Sequence, residues 1–235
     1  MNVHQKRLIA SIVPGNLLRH LYATSKIRAI QLEGIKLIYI PIPKAANRSV
    51  KTALAKKVDK HYSISAHKAN WDFISLSKVD SSQHFSFSFV RNPLNRLLSC
   101  YLQKVKMKHF FKNFWKYGNL VNANMSFEDF VDFVINTPDY LADRHFKSQH
   151  LFLQKDGKII VDFIGKVENM VEDWKFLSSE FDLPPIPHLN KSNQGHFNEY
   201  YTQKLAVRVA KHYTKDIELF KYRTEVELQI SSLQI

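Results

Sequence analysis

Short apolar runs alternate with helical stripes along this chain. The stretch KLIYIPIP at residues 36–43 is brief, apolar and β-branched, as a buried strand is, and its prolines end it. From about Asn47 the spacing changes, and Val50, Ala53, Leu54 and Val58 fall on one face of a helix. The same succession then recurs. FSFSFV, at Phe85–Val90, alternates and turns wholly apolar, which predicts a second strand. After it Asn92 is a good N-cap, and Pro93 suits the first helical position, where its missing N–H costs nothing. Leu94, Leu97, Leu98, Tyr101, Leu102 and Val105 follow at three- and four-residue steps, an amphipathic helix.

Farther on, SFEDFVDFVIN predicts a helix capped by Ser126, and LFLQKDGKIIVDFIGKVE predicts two strands joined by a turn at Asp156-Gly157. Helices are expected over Met170–Phe181 and residues 199–220, separated by the loop LPPIPHLNKSNQGH. Strands alternating with helices imply an α/β fold whose largely parallel sheet is covered on both faces. No Pro/Gly/Ser-rich linker or shift of composition divides the chain, so one domain over residues 1–235 is expected.

Charge narrows the field of partners. Lys and Arg number 34 against 21 Asp and Glu, a formal net charge of +13, which favours polyanions: nucleic acid, an acidic polysaccharide, a membrane surface or a phosphorylated small molecule. The lone cysteine, Cys100, excludes an intrachain disulfide and a cysteine-rich zinc site, and fits a reducing compartment. Pro14 and Gly15 interrupt the apolar run near the amino terminus, and no run approaches the length a membrane span needs. The expectation is a cytoplasmic protein without stable membrane insertion.

Both predicted strand-to-helix turns carry anion chemistry. A helix amino terminus offers unpaired N–H groups and the positive end of the backbone dipole. Lys44, Asn47, Arg48 and Ser49 add an amine, an amide, a guanidinium and a hydroxyl at the first, where ligands of open α/β sheets bind. Lys51, Lys56 and Lys57 read as solvation of a surface helix. No glycine lies between Gly34 and Gly118, so the G-x-x-x-x-G-K-[ST] loop of nucleotide triphosphatases is absent and the anion falls to a shorter turn with side chains. At the second turn Arg91 precedes the helix and Ser99 lies two turns into it, placed for one phosphate. Arg96 and Gln103 share that face, with a structural bridge from Arg96 to a carboxylate as the alternative reading.

Taken together, these segments resemble the carbohydrate sulfotransferases that use 3'-phosphoadenosine 5'-phosphosulfate (PAPS), particularly the Golgi 4-O-sulfating group and its bacterial relatives. PKAANRSVK is similar to that family's 5'-phosphosulfate loop, and FSFVRNPLNRLLSCY to its 3'-phosphate element. Similarity continues in DRHFKSQHLFL, VDFIGKVENMVEDW, HLNKSNQG and VAKHYTKDIELFKY, as far as Tyr222, while residues 1–35 lie outside it. The resemblance implies that Lys44, Ala45, Ala46, Asn47, Arg48 and Ser49 form the 5'-phosphosulfate site, and that Arg91 and Ser99 hold the 3'-phosphate. Asn92 stands where the family usually has Asp, and Arg48 replaces a small hydroxyl residue. The implied fold is P-loop-kinase-like: three layers, with a central, mostly parallel sheet.

The implied reaction moves a sulfuryl group from PAPS to a hydroxyl of a carbohydrate acceptor by in-line displacement, where positioning and electrostatics matter more than covalent catalysis. Lys44 would neutralise the charge developing on the leaving phosphate without need of a metal. The attacking hydroxyl needs a general base, and histidine is the natural choice. His67, between the two cofactor elements where related sulfotransferases carry a base, is the first candidate, against a loop histidine with no role; His145 is the second. His145 and His150 have no third ligand at a metal-site spacing. His188, Lys191 and Ser192 are placed to approach the nucleotide. Phe85, Phe87, Phe89 and the FFKNFW cluster from Phe110 read as packing rather than as base-stacking platforms, and the basic run KVKMKHFFK would suit an acidic glycan. A basic nucleic-acid-binding protein and a nucleotide kinase of related fold are the rival readings. Neither the sugar acceptor nor the oligomeric state is legible.

Overall fold

The computed structural model describes residues 27–59, 69–79, 82–106, 121, 124–187 and 197–233. In chain order they form β1 (Arg28–Leu32), β2 (Leu37–Tyr39), α1 (Asn47–Val58), β3 (Asp72–Ser75), β4 (Phe85–Val90), α2 (Pro93–Tyr101), α3 (Phe127–Asn136) and α4 (His150–Leu153). There follow β5 (Gln154–Lys155), β6 (Lys158–Ile159), β7 (Phe163–Lys166), α5 (Met170–Phe181), α6 (Phe197–Tyr200), α7 (Gln203–His212), α8 (Thr214–Leu219) and α9 (Arg223–Ser231). These residues divide into two compact units, 27–92 with 149–187 and 93–148 with 197–233.

The first unit holds a five-stranded sheet in the order β3-β1-β2-β4-β7. β2, β4 and β7 pair in parallel, and β1 runs antiparallel to both its neighbours, so β1 alone opposes the rest. The register places Ile30 beside Tyr39 and Tyr39 beside Phe87. One face of the sheet is therefore apolar and aromatic. Val50, Ala53 and Leu54 of α1 and Trp174 and Leu177 of α5 pack on it with Leu183. Burying each large side chain of this set stabilises the unit by roughly 1.5–3 kcal/mol. Rings give it shape: Tyr39 stacks on Phe87 at 5.1 Å, and Phe87 meets Phe89 edge-on at 6.2 Å. Gly165, beside Phe89 in the register, is required by that ring, because a Cβ there would sit 2.4 Å from its edge.

FSFSFV looks half-solvated in sequence, yet Ser86 and Ser88 are buried too. Their hydroxyls are satisfied internally: Ser88 Oγ donates to the Ile40 carbonyl at 2.7 Å, and Ser86 Oγ donates to Asp162 Oδ2 at 2.7 Å. A small hydroxyl residue with a fixed acceptor can occupy a buried strand position at little cost.

The second unit is helical. Leu94, Leu97, Leu98 and Tyr101 of α2 are buried as the periodicity predicts, and the helix runs on as a π-turn over Leu102–Lys106 that buries Val105. Tyr101 lies among the rings of Phe127, Phe130 and Tyr200, at 5.1, 5.7 and 5.7 Å. Ser126 caps α3, its Oγ accepting from the Asp129 N–H at 3.1 Å.

Several expectations need correction. Val58 is 70% exposed, because α1 has by then run past the sheet. The Asp156-Gly157 turn exists, with φ of 53° and 77°, but it joins only the two-residue strands β5 and β6; Phe163–Lys166 leaves that hairpin to pair with β4. The helix expected over residues 199–220 is broken into α6, α7 and α8. β1, β3 and α9 were not anticipated. Among the described residues no helix is long and apolar enough to cross a membrane.

Candidate active site

The first turn begins where β2 ends. Ile40 still donates to the Phe87 carbonyl at 2.9 Å, so the chain stays beside β4 until it bends at Pro43. Ala45 N–H donates back to the Ile42 carbonyl at 3.3 Å and closes the bend. Two non-glycine residues here adopt the left-handed region, Lys44 at φ 72° and Ala46 at φ 50°. Each costs about 1–2 kcal/mol, which the surrounding buried strand and helix must offset. Ala46 occupies the N-cap of α1 and has no side-chain acceptor to offer, and the first turn of the helix holds no acidic residue. Around the positive end of α1 stand Lys44, half-buried, Ala45 and Ser49, buried, Asn47, half-buried, and Arg48, exposed. From inside the core, Tyr39 Oη donates to Asn47 Oδ1 at 3.4 Å, and burial raises the Tyr39 phenol, which keeps it a donor.

Of the three lysines read as solvating α1, Lys56 is exposed and Lys57 pairs with Asp182 at 2.9 Å. Lys51 departs from that reading. It is buried, with Nζ 5.5 Å from the centre of the Phe73 ring, a cation–π contact to β3.

The second turn is built differently. Arg91 Nη1 donates to the main-chain carbonyl of Lys44 at 3.4 Å, so the two cationic turns adjoin. The backbone around Arg91 is occupied by the protein itself. Gln149, fully buried, accepts from the Arg91 N–H at 3.0 Å and donates to the Arg91 carbonyl at 2.8 Å. Glu168 Oε1 accepts from the Asn92 N–H at 3.0 Å. The N–H groups of Arg91 and Asn92 are therefore already engaged within the protein.

Ser99 and His145 belong to the helical unit, Ser99 half-buried on α2. His145 Nδ1 lies 2.6 Å from Asp143 Oδ1, which also accepts the His145 peptide N–H at 2.9 Å. The segment that carries this pair is fixed from within. Arg96, buried, donates to the carbonyls of Lys147 at 2.8 Å and Arg144 at 3.2 Å, and Tyr213 Oη donates to the Phe146 carbonyl. Arg96 is thus a structural bridge that ties two main-chain carbonyls, and burial draws its pKa below the usual value. His67, His188, Lys191 and Ser192 lie outside the described residues. Among the described residues no group of three His, Cys, Asp or Glu side chains stands together as metal ligands.

Lys44, Ala45, Ala46, Asn47, Arg48, Ser49 and Arg91 share one unit, and Arg91 touches the Lys44 turn. Gln149, Glu168 and Asp143 were not singled out from sequence. Gln149 and Glu168 sit in the segments DRHFKSQHLFL and VDFIGKVENMVEDW, but 58 and 76 residues separate them from their partners, and no local pattern reports such a pairing.

No solved structure matches this chain significantly. A curated relative, an uncharacterized protein of Archaeoglobus fulgidus, is 34% identical over 98 residues, 42% of this chain and 68% of the relative. The model of the sulfotransferase family matches residues 29–223, a span that holds both cationic turns, all of the sheet but Arg28, and the Asp143–His145 pair. The chain belongs to the sulfotransferase family, enzymes that transfer a sulfuryl group.

Proposed function

We propose that this enzyme takes its sulfuryl group from PAPS and delivers it to a hydroxyl of a carbohydrate, with an acidic glycan favoured by the net charge of +13. The family generally uses this donor. The observation that carries the reading is the hydrogen bond from Arg91 to the Lys44 carbonyl, which sets a guanidinium beside the uncapped start of α1. An amine, a guanidinium and a helix terminus together fit a nucleotide with anionic groups at two positions.

Bound PAPS supplies the sulfur centre: the acceptor oxygen forms its bond to sulfur as the bond from sulfur to the 5'-phosphate oxygen breaks, leaving a sulfate ester and adenosine 3',5'-bisphosphate. The residues supply position and charge. Lys44, with Asn47, Arg48 and Ser49 at the start of α1, meets the negative charge that builds on the leaving phosphate. Arg91, with Ser99 by the motif, holds the 3'-phosphate. The acceptor proton passes to a histidine, His67 first and His145 second, the latter with its Nδ1 beside Asp143 Oδ1.

Ligand-induced stabilisation tests the donor. Adenosine 3',5'-bisphosphate at a hundredfold excess over its Kd should stabilise the protein by about 2.7 kcal/mol and raise the melting temperature. ATP or an oligonucleotide raising it while the bisphosphate does not would return the reading to a kinase or a nucleic-acid-binding protein. Labelled-sulfate transfer onto a glycan panel then identifies the acceptor.

A further inference from the structure

Gln149 is a buried amide with no part in the chemistry described so far. Its side chain is fully buried, and it gives one hydrogen bond to and takes one from the main chain of a single residue, Arg91. The pair copies the exchange of a hydrogen-bonded strand pair, made here by a side chain. Its effect is directional. With both its N–H and its carbonyl tied, Arg91 cannot rotate its peptide planes, so the direction in which its Cβ leaves the backbone is set. The neighbouring N–H is tied as well, by Glu168. A long side chain on a fixed root then reaches the Lys44 carbonyl.

We infer that Gln149 is a positioning residue for donor recognition: it aims the Arg91 guanidinium at the 3'-phosphate of the nucleotide. The inference rests on the proposed donor. Because the backbone N–H groups at this turn are already taken, discrimination for the 3'-phosphate falls on the Arg91 side chain, and precision of aim decides its strength. A misplacement of about 1 Å is enough to lose most of a charge-assisted contact.

The test compares two probes on the whole chain by calorimetry: adenosine 3',5'-bisphosphate and adenosine 5'-phosphate, which differ only in the group Arg91 is assigned to hold. In the wild type the bisphosphate should bind the more tightly. Gln149→Met removes both hydrogen bonds at nearly constant volume, and Gln149→Asn keeps the amide but shortens its reach. Either variant should lower the ratio of the two affinities by about tenfold or more while leaving the 5'-phosphate affinity near wild type. Should Gln149→Met fail to fold, Gln149→Asn carries the same readout. An unchanged ratio, or an equal loss for both probes, would show a purely structural amide and overturn the inference. A wild type that does not discriminate between the probes would instead overturn the assignment of the donor.

Discussion

The two strand-to-helix turns read alike in sequence and are opposite in construction. After β2 the backbone is bent through two left-handed residues, and α1 begins without a capping side chain or an acidic residue in its first turn. After β4 neither Arg91 nor Asn92 has a positive φ, and Gln149 and Glu168 occupy their N–H groups. The first turn carries backbone strain and leads into a helix whose N-cap residue offers no capping side chain. The second spends its backbone on internal bonds and presents one aimed side chain. A donor with a reacting end and a distant anchoring end asks for that difference: charge stabilisation at the place where bonds change, and a rigid grip at the place where nothing changes.

Removing the cation from the first turn should have the largest effect. Lys44→Ala is expected to lower the transfer rate at saturating donor by about 10³-fold with a nearly unchanged melting temperature, because charge is lost and little core is disturbed. Transfer at the wild-type rate would break the contrast.

The two arginines of the second motif should separate next. Arg91→Met is expected to weaken the bisphosphate by roughly 10- to 100-fold, seen in binding, with little change in melting. Arg96→Met should do the reverse, destabilising the protein by about 3 kcal/mol, since it removes charged donors from two buried carbonyls. Denaturant curves beside calorimetry would show whether the roles are divided in this way.

Backbone strain gives a smaller, sharper test. At Lys44, φ 72°, glycine should be more stable than alanine by about 1 kcal/mol; at Arg91, which is not left-handed, glycine should be the less stable of the two. Equal behaviour at both positions would remove strain from the comparison.

Smallest is a pH effect in the helical unit. Burial lowers the pKa of His212 from its ordinary 6.5, against the opposing pull of Asp139 and Asp216. The unfolded chain then binds the proton more readily than the folded one. The stability that depends on neutral His212 is therefore complete above pH 6.5 and declines as the pH falls through the lowered folded value. His212→Gln should flatten the acid side of a melting-temperature profile.

Much of this was written in local pattern. The spacing of Leu94, Leu97, Leu98 and Tyr101, the Ser126 cap, the bounds of Phe85–Val90 and Met170–Phe181, and the cations at both turns follow from periodicity and turn chemistry that act within a few residues. What failed to show was non-local or short. β3 is a short edge strand whose partner β1 lies well before it in the chain, β1 is a short strand held between β2 and β3, and β7 leaves the hairpin to pair in parallel with β4. Arg96 could be read as a ligand or a bridge until its burial and its two carbonyl acceptors decided it.

The sequence by itself determined which side chains are available for anions and that each cationic cluster stands where a strand gives way to a helix, because those facts depend on residue type and near-neighbour spacing. Only the tertiary structure decided that Arg91 reaches the Lys44 turn, that Gln149 and Glu168 close the backbone of the second turn, and that α1 starts from a left-handed Ala46 with no side-chain cap. Hydrogen bonds between residues 47, 58 and 76 positions apart exist only once the sheet has brought β2, β4 and the segments after Gln149 side by side, and no local propensity encodes them.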